Sequence, residues 1–272
     1  MKIIPKRLPL LPERPRPLIF AHRGCSSLAP ENTMAAFKKA REIGAPGIEL
    51  DVHVCGTGEL VVAHDDNFQR TAPEGPNGGG RPIEELRLSE IREIDVGIAF
   101  GRQSGIQESP SSGYRGEHPP LLEQVLETFC PDMYIDIELK TRKTKGDSLP
   151  VLVADMLRHF GDRALKSVMV SSFNPFSILA FKKFCPTVPT AVIWANDRGV
   201  PPLLRHGFGR IIAHCDYLKP SYRQVNGFSR FRFQTLERRP LVPWTVDDPG
   251  LARSLLAAGC PGIISNRPQD LL

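Results

Sequence analysis

No apolar run in the 272 residues approaches the roughly 20 that a membrane-spanning helix requires. The start, Met1-Lys2-Ile3-Ile4-Pro5-Lys6-Arg7, meets five prolines by Pro17 and never builds the continuous apolar segment of a secretory leader. No Lys/Arg run is dense enough for a nucleic-acid stripe, despite a net charge of +5 and a pI near 8.9. The six cysteines, Cys25, Cys55, Cys130, Cys185, Cys215 and Cys260, include no C-x-x-C pair and no zinc-type spacing. They are expected as free thiols in a reducing compartment. These absences predict a cytoplasmic protein with neither stable membrane insertion nor a nucleic-acid partner. There is also no internal repeat and no low-complexity segment.

What remains is an ordinary globular composition, 41% hydrophobic and 24% charged, at a length that an α/β barrel routinely fills with one core. A proline-rich segment, 1–17, is expected to lie extended outside that core. The domain proper is 18–272, with an inserted segment at about 66–119 whose Gly78-Gly79-Gly80 and Gly/Ser-rich stretch 101–116 differ in composition from the rest. A segment of this size in a compact domain predicts a cover over a site.

Apolar run and turn residues then alternate along the chain. Leu18-Ile19-Phe20-Ala21 reads as a doubly buried strand that delivers His22 and Arg23 at its end. Asn32 or Thr33 caps a helix with apolar face Met34, Phe37, Ala40 and Ile43, stopped by Gly44. In Ile48-Glu49-Leu50-Asp51-Val52-His53-Val54 the apolar residues share one face, and Glu49, Asp51 and His53 share the other. Two strand residues separate the acids by about 6.6 Å, near enough to converge on one cation. A buried carboxylate needs a partner, so two on one apolar strand point to chemistry.

Gly56-Thr57-Gly58 predicts a tight antiparallel hairpin into Leu60-Val61-Val62-Ala63. Symmetric pairing about Thr57 sets Glu49 opposite positions 64–67, bringing His64 to the acids. A second alternating strand, 133–140, carries Asp136, Glu138 and Lys140 on one face. Further strands are expected at 168–171, 191–194, 211–214, 241–246 and 262–265, with helices at 83–94, 120–129, 149–160, 175–184 and 249–258. Repeated βα units predict a TIM (β/α)8 barrel with a small insertion after the second unit. Nine candidate strands are one too many, and the hairpin strand around Val61 is the expected supernumerary.

His22-Arg23-Gly24, Pro30-Glu31-Asn32-Thr33, Glu49-Leu50-Asp51-Val52, His64-Asp65, Arg70-Thr71, Glu138-Leu139-Lys140, Ser171-Ser172-Phe173-Asn174, Trp244-Thr245-Val246 and Gly262-Ile263-Ile264-Ser265-Asn266-Arg267-Pro268 follow one another in order. Together they resemble the signature of the glycerophosphodiester phosphodiesterase family, from about residue 18 to the C-terminus. The resemblance implies a TIM-barrel hydrolase that cleaves small-molecule glycerophosphodiesters to glycerol 3-phosphate and an alcohol, with one divalent cation, Mg²⁺ or Ca²⁺. By position, Glu49, Asp51 and Glu138 hold the metal and His22 and His64 are the acid/base pair. Arg23 and Lys140 contact phosphate, and Trp244 packs on substrate. Two turns depart from the family pattern, Cys55-Gly56-Thr57-Gly58 and Pro120-Leu121-Leu122-Glu123, and both touch loop chemistry rather than the centre.

The residues suit the reaction. A phosphodiester repels nucleophiles and loses a poor alkoxide, so its cleavage needs charge neutralisation and two proton transfers. His53, Asp136 and Glu31 are expected as supporting or solvated groups; His118, His159, His206 and His214 as structural ones. Two other readings stand beside this one: a lysophospholipase D or sphingomyelinase D-like enzyme on an acylated substrate, and a barrel that only binds a phosphorylated ligand.

Overall fold

A computed structural model describes Leu8, residues 17–73, 79–100, 111–141, 143, 144 and 146–272. Most of the proline-rich start, and parts of the Gly-rich stretches at 74–78 and 101–110, lie outside the described residues. In chain order the elements are β1 (Leu18–His22), α1 (Met34–Glu42), β2 (Gly47–Val54), β3 (Leu60–Val62), α2 (Leu88–Ile91), α3 (Leu122–Phe129), β4 (Tyr134–Leu139), α4 (Leu149–Phe160) and α5 (Asp162–Leu165). They continue with β5 (Val168–Ser172), α6 (Pro175–Phe184), β6 (Thr190–Trp194), α7 (Gly209–Ala213), β7 (Tyr217–Pro220), α8 (Gly227–Arg230), α9 (Pro249–Ala257) and β8 (Gly262–Ser265).

Seven strands pair in parallel in the order β7-β6-β5-β4-β2-β1-β8, and β3 hangs off β2 as an antiparallel hairpin strand. The supernumerary strand is therefore the one expected. Its pairs, Val52 with Val62, His53 with Val61 and Val54 with Leu60, carry the symmetric register that sends the chain back towards the acids of β2.

The gap between β7 and β8 is filled by residues 241–246. On one side Leu218 N donates to Pro240 O, Val242 N to Leu218 O and Trp244 N to Pro220 O. On the other, Ile264 N donates to Pro243 O and Val246 N to Ile264 O. The segment closes the barrel without forming a regular strand, because Pro240 and Pro243 have no N–H to give.

Two sequence expectations fail locally. Residues 211–214 are not a strand: the Ile211-Ile212-Ala213 run belongs to α7, which ends at His214 in the left-handed region with φ 48°. A run this short has too few residues for its period to show. The real strand, β7, follows it, disguised by Lys219 and Pro220. The helix expected over 83–94 is two short turns, 83–85 and α2, with Leu86 extended between them.

Outside the sheet, Ile48, Leu50, Val52, Ile135 and Ile137 pack with Phe37, Leu122, Val125 and Phe129 in the main apolar core. Inside, the strands alternate the other way. Leu18, Phe20, Tyr134, Met169, Ala191, Tyr217, Val242 and Ile264 form an apolar floor. Gly47 makes room for it, since a Cβ there would lie 2.8 Å from the Phe20 ring. Two residues further along β1, β2, β4, β5 and β7 the inward positions are His22, Glu49, Asp136, Ser171 and Lys219, which places a polar, largely charged layer at the C-terminal mouth of the barrel, where enzymes of this architecture carry their sites.

Candidate active site

Strand register assembles this layer. His22 of β1 lies opposite Glu49 of β2, Glu49 opposite Asp136 of β4, Asp51 opposite Glu138, and Glu138 opposite Ser171 of β5. Glu49, Asp51 and Glu138 are all buried, and each offers an oxygen within 4.8 Å of the others. Three like charges so close repel strongly unless something positive sits among them. Burial, reinforced by Asp51, pushes Glu49 well above the usual carboxylate range. Burial pushes Asp51 up too, but Lys140 and Arg23 outweigh it and hold its carboxyl well below that range. Lys140 Nζ is 3.1 Å from Glu138 Oε1 and 3.5 Å from Asp51 Oδ1. Arg23 Nε stands 3.5 Å from Asp51 Oδ2, and Arg23 N donates to Glu49 Oε2 at 3.1 Å.

Of the two candidate caps, Thr33 is the one that serves α1, its Oγ1 accepting from Ala36 N. Asn32, at φ 55°, instead turns Nδ2 onto Asp51 Oδ2 at 2.9 Å. An all-oxygen acid triad this closely spaced suits a hard divalent cation.

The two imidazoles flank the triad. His22 Nε2 lies 3.9 Å from Glu49 Oε2, and its Nδ1 is 2.6 Å from Asn266 Oδ1. Burial, with Arg23 beside it, brings His22 down to about 4, so the ring is neutral at neutral pH. His64, two residues past β3, gives its Nδ1 to Asp65 Oδ1 at 2.7 Å. Asp65 in turn accepts from Arg70 Nε at 2.6 Å, and Arg70 grips Glu31 at 2.6 and 2.9 Å. Glu31 returns the chain to Arg23 at 3.0 Å, closing an ionic arc from one histidine's neighbour to the other. A cleft opens beside this arc, with Asn32, His64, Asp65, Phe68 and Arg70 in its walls.

The family model for the glycerophosphoryl diester phosphodiesterase family matches residues 22–270. A glycerophosphodiester phosphodiesterase of Caldanaerobacter subterraneus subsp. tengcongensis is 31% identical over 256 residues, 94% of this chain and 96% of that protein. Among solved structures, an Oleispira antarctica phosphodiesterase in complex with the product sn-glycerol-3-phosphate superposes with a TM-score of 0.76 at 24% identity, covering 94% of this chain and 95% of that one. A glycerophosphodiester phosphodiesterase from Agrobacterium tumefaciens gives 0.72 at 24% identity, over 94% and 99%. The chain belongs to this family. It is an enzyme, a phosphoric diester hydrolase of the glycerophosphodiester type, on a TIM-barrel α/β fold.

Within this phosphodiesterase barrel one central residue escaped the sequence reading. Lys219, 1% exposed, places Nζ 2.7 Å from Asp136 Oδ2 and 2.9 Å from Ser171 Oγ, directly beneath the acid triad. Burial lowers its pKa, but Asp136 and Glu49 outweigh that and keep the ammonium charged. The available signal was the alternation Tyr217-Leu218-Lys219, hidden by the brevity of β7. Asp136 is engaged by Lys219 and Ser171, and Glu31 by Arg23 and Arg70. His53 supports rather than faces solvent: it is 8% exposed, with Nε2 3.4 Å from the His64 carbonyl. Trp244 is half-buried, tied by Nε1 to Lys219 O at 2.9 Å and set edge-on to Phe173 with ring centroids 5.6 Å apart. His118 Nδ1 lies 2.8 Å from Ile94 O.

Proposed function

We propose that this phosphodiesterase hydrolyses glycerophosphodiesters to glycerol 3-phosphate and an alcohol, with His22 and His64 as the acid/base pair and a divalent cation, Mg²⁺ or Ca²⁺, held by Glu49, Asp51 and Glu138. The observation that carries this reading is the presence of two imidazoles, each with Nδ1 engaged, close to a buried three-carboxylate cluster. The product complex of the Oleispira relative supports the same choice of product. When bound, such a cation supplies Lewis-acid polarisation and charge neutralisation at the phosphoryl oxygens.

The chain's own residues divide the rest. His22, neutral and with Nε2 facing the acids, takes a proton at that atom from the attacking group, which is either water or the neighbouring glycerol hydroxyl; in the second route water then opens the cyclic phosphate to glycerol 3-phosphate. His64 gives one from Nε2 to the departing alkoxide, while Asp65 accepts from Nδ1 and holds the ring in place. Arg23, with its planar fork, and Lys140, as a point charge, bind phosphoryl oxygens as charge builds there. Trp244 forms an apolar wall for the glycerol end. The inserted segment serves as cover on the His64 side, since Phe68 and Arg70 wall the cleft and Phe68 sits in a small core with Val61, Ile83 and Ile91. The free thiols of Cys25, Cys55, Cys185, Cys215 and Cys260 support a cytoplasmic setting.

The test is release of glycerol 3-phosphate from glycerophosphocholine and glycerophosphoethanolamine across a series of metals. EDTA abolishes turnover, Mg²⁺ or Ca²⁺ restores it, and His22→Ala and His64→Ala each lower kcat by about 10²–10⁴-fold. Full activity in either variant would remove that residue from the mechanism. Preference for lysophosphatidylcholine would redirect the assignment to an acylated substrate.

A further inference from the structure

We infer that Asp247, through Asn266, fixes which nitrogen of His22 carries the proton, and so positions the lone pair of Nε2 in the active site.

Asp247 lies on the 241–246 side of the barrel closure, one residue beyond Val246, and meets the end of β8 with both oxygens. Oδ1 accepts from Asn266 N at 2.8 Å and from Ser265 Oγ at 3.0 Å; Oδ2 accepts from Asn266 Nδ2 at 2.8 Å. An ionised carboxylate only accepts, so the Asn266 amide can present only its NH₂ to Asp247. The carbonyl end then has one direction left. Asn266 Oδ1 faces His22 Nδ1 at 2.6 Å, with Ser26 Oγ a longer donor to the same oxygen at 3.4 Å. A carboxamide oxygen has no proton to offer, so Nδ1 must be the N–H of the imidazole. The lone pair is left on Nε2, the atom that looks towards Glu49.

Three polar groups thus settle one tautomer by elimination, and neither Asp247 nor Asn266 needs to touch a reacting atom. Asp247 is half-buried, outside the carboxylate triad and outside the Arg23–Glu31–Arg70–Asp65 arc. It is a positioning residue. The inference rests on the reading of His22 as a proton-transfer group only for its effect on rate; the tautomer itself is observable separately.

The experiment is a pair of near-isosteric variants of the full chain, Asp247→Asn and Asp247→Asn/Asn266→Asp, examined by long-range ¹⁵N–¹H correlation of the imidazoles. His22→Asn identifies the His22 signals. In the wild type the protonated nitrogen is Nδ1. In Asp247→Asn the new amide keeps Oδ1 on the two donors of Ser265 and Asn266 N, and turns its NH₂ towards the Asn266 side chain. Asn266 then flips, offers its own NH₂ to His22 Nδ1, and moves the imidazole proton to Nε2. We expect kcat to fall by about 10²-fold with KM within about threefold, the scale of losing one proton-transfer group.

In the double variant the acceptor and donor change places. The carboxylate introduced at position 266 accepts from the amide NH₂ introduced at position 247 and from His22 Nδ1–H, so the Nδ1–H form and most of the rate return. Merely structural damage would not be repaired by a second change at the same contact, and the double variant also carries the test if Asp247→Asn alone folds poorly. Persistence of the Nδ1–H tautomer in folded Asp247→Asn, or the Nε2–H tautomer in the double variant, overturns the inference. A flipped tautomer with undiminished turnover upholds it and instead removes His22 from the proton transfer.

Discussion

His22 and Lys219 are two buried bases that resolve burial in opposite ways. Lys219 stays charged because Asp136 stands at 2.7 Å; His22 gives up its proton because burial disfavours its charge and its neighbour Arg23 is a cation. Each choice has a measurable consequence. With His22 brought down to about 4 in the native state and near 6.5 when unfolded, the unfolded chain binds the extra proton between those values. Stability therefore rises with pH across that window and is lost as pH falls through it, by up to about 3 kcal/mol. Urea unfolding in EDTA is expected to show this slope, and His22→Asn to flatten it. For Lys219, the expectation is that Lys219→Met costs about 3–5 kcal/mol by stranding the Asp136 charge, and that adding Asp136→Leu recovers most of it. An unchanged urea midpoint in the single variant would show that the pair holds nothing together. The carboxylates of β2 and β4 were legible in the sequence because a two-residue period lays them on one face. Lys219 was not, because four residues of strand show no period.

At the scale of elements, the site depends on turns that let short strands end where they do. Gly24, at φ 79°, folds the chain back after His22 and Arg23 against α1, where a Cβ would sit 2.7 Å from Ala36. Gly24→Ala is expected to cost about 2–4 kcal/mol and to lower kcat by displacing His22, as seen in paired melting and turnover measurements. Arg70, from the inserted segment, bonds both Asp65 and Glu31 and so joins that segment to the barrel. Its replacement by Met is expected to lower kcat by about tenfold while leaving the melting temperature within a few degrees, since its ion pairs are partly exposed. The hairpin was readable from its Gly-Thr-Gly turn, and its register followed by symmetry. The closing segment 241–246 was readable as extended but not as irregular, because whether a missing proline N–H matters depends on which neighbour needed it.

Across the whole molecule, one main core holds the barrel together, and all six cysteines are buried. A thiol reagent is accordingly expected to label none of them in the native protein and all of them in denaturant; rapid native labelling would contradict that burial. No helix among the described residues is long and apolar enough to cross a membrane. The sequence by itself determined the alternation of strand and helix, the acids and histidines at strand ends, and the family. These are local properties, written in period, turn chemistry and motif. Only the tertiary structure decided that β7 carries a buried ammonium beneath the acids, that 241–246 closes the ring, and that Asp247 reaches His22 through Asn266. Each of these depends on groups far apart in the chain meeting where water is excluded, and there an unpaired charge or donor is too costly to leave alone.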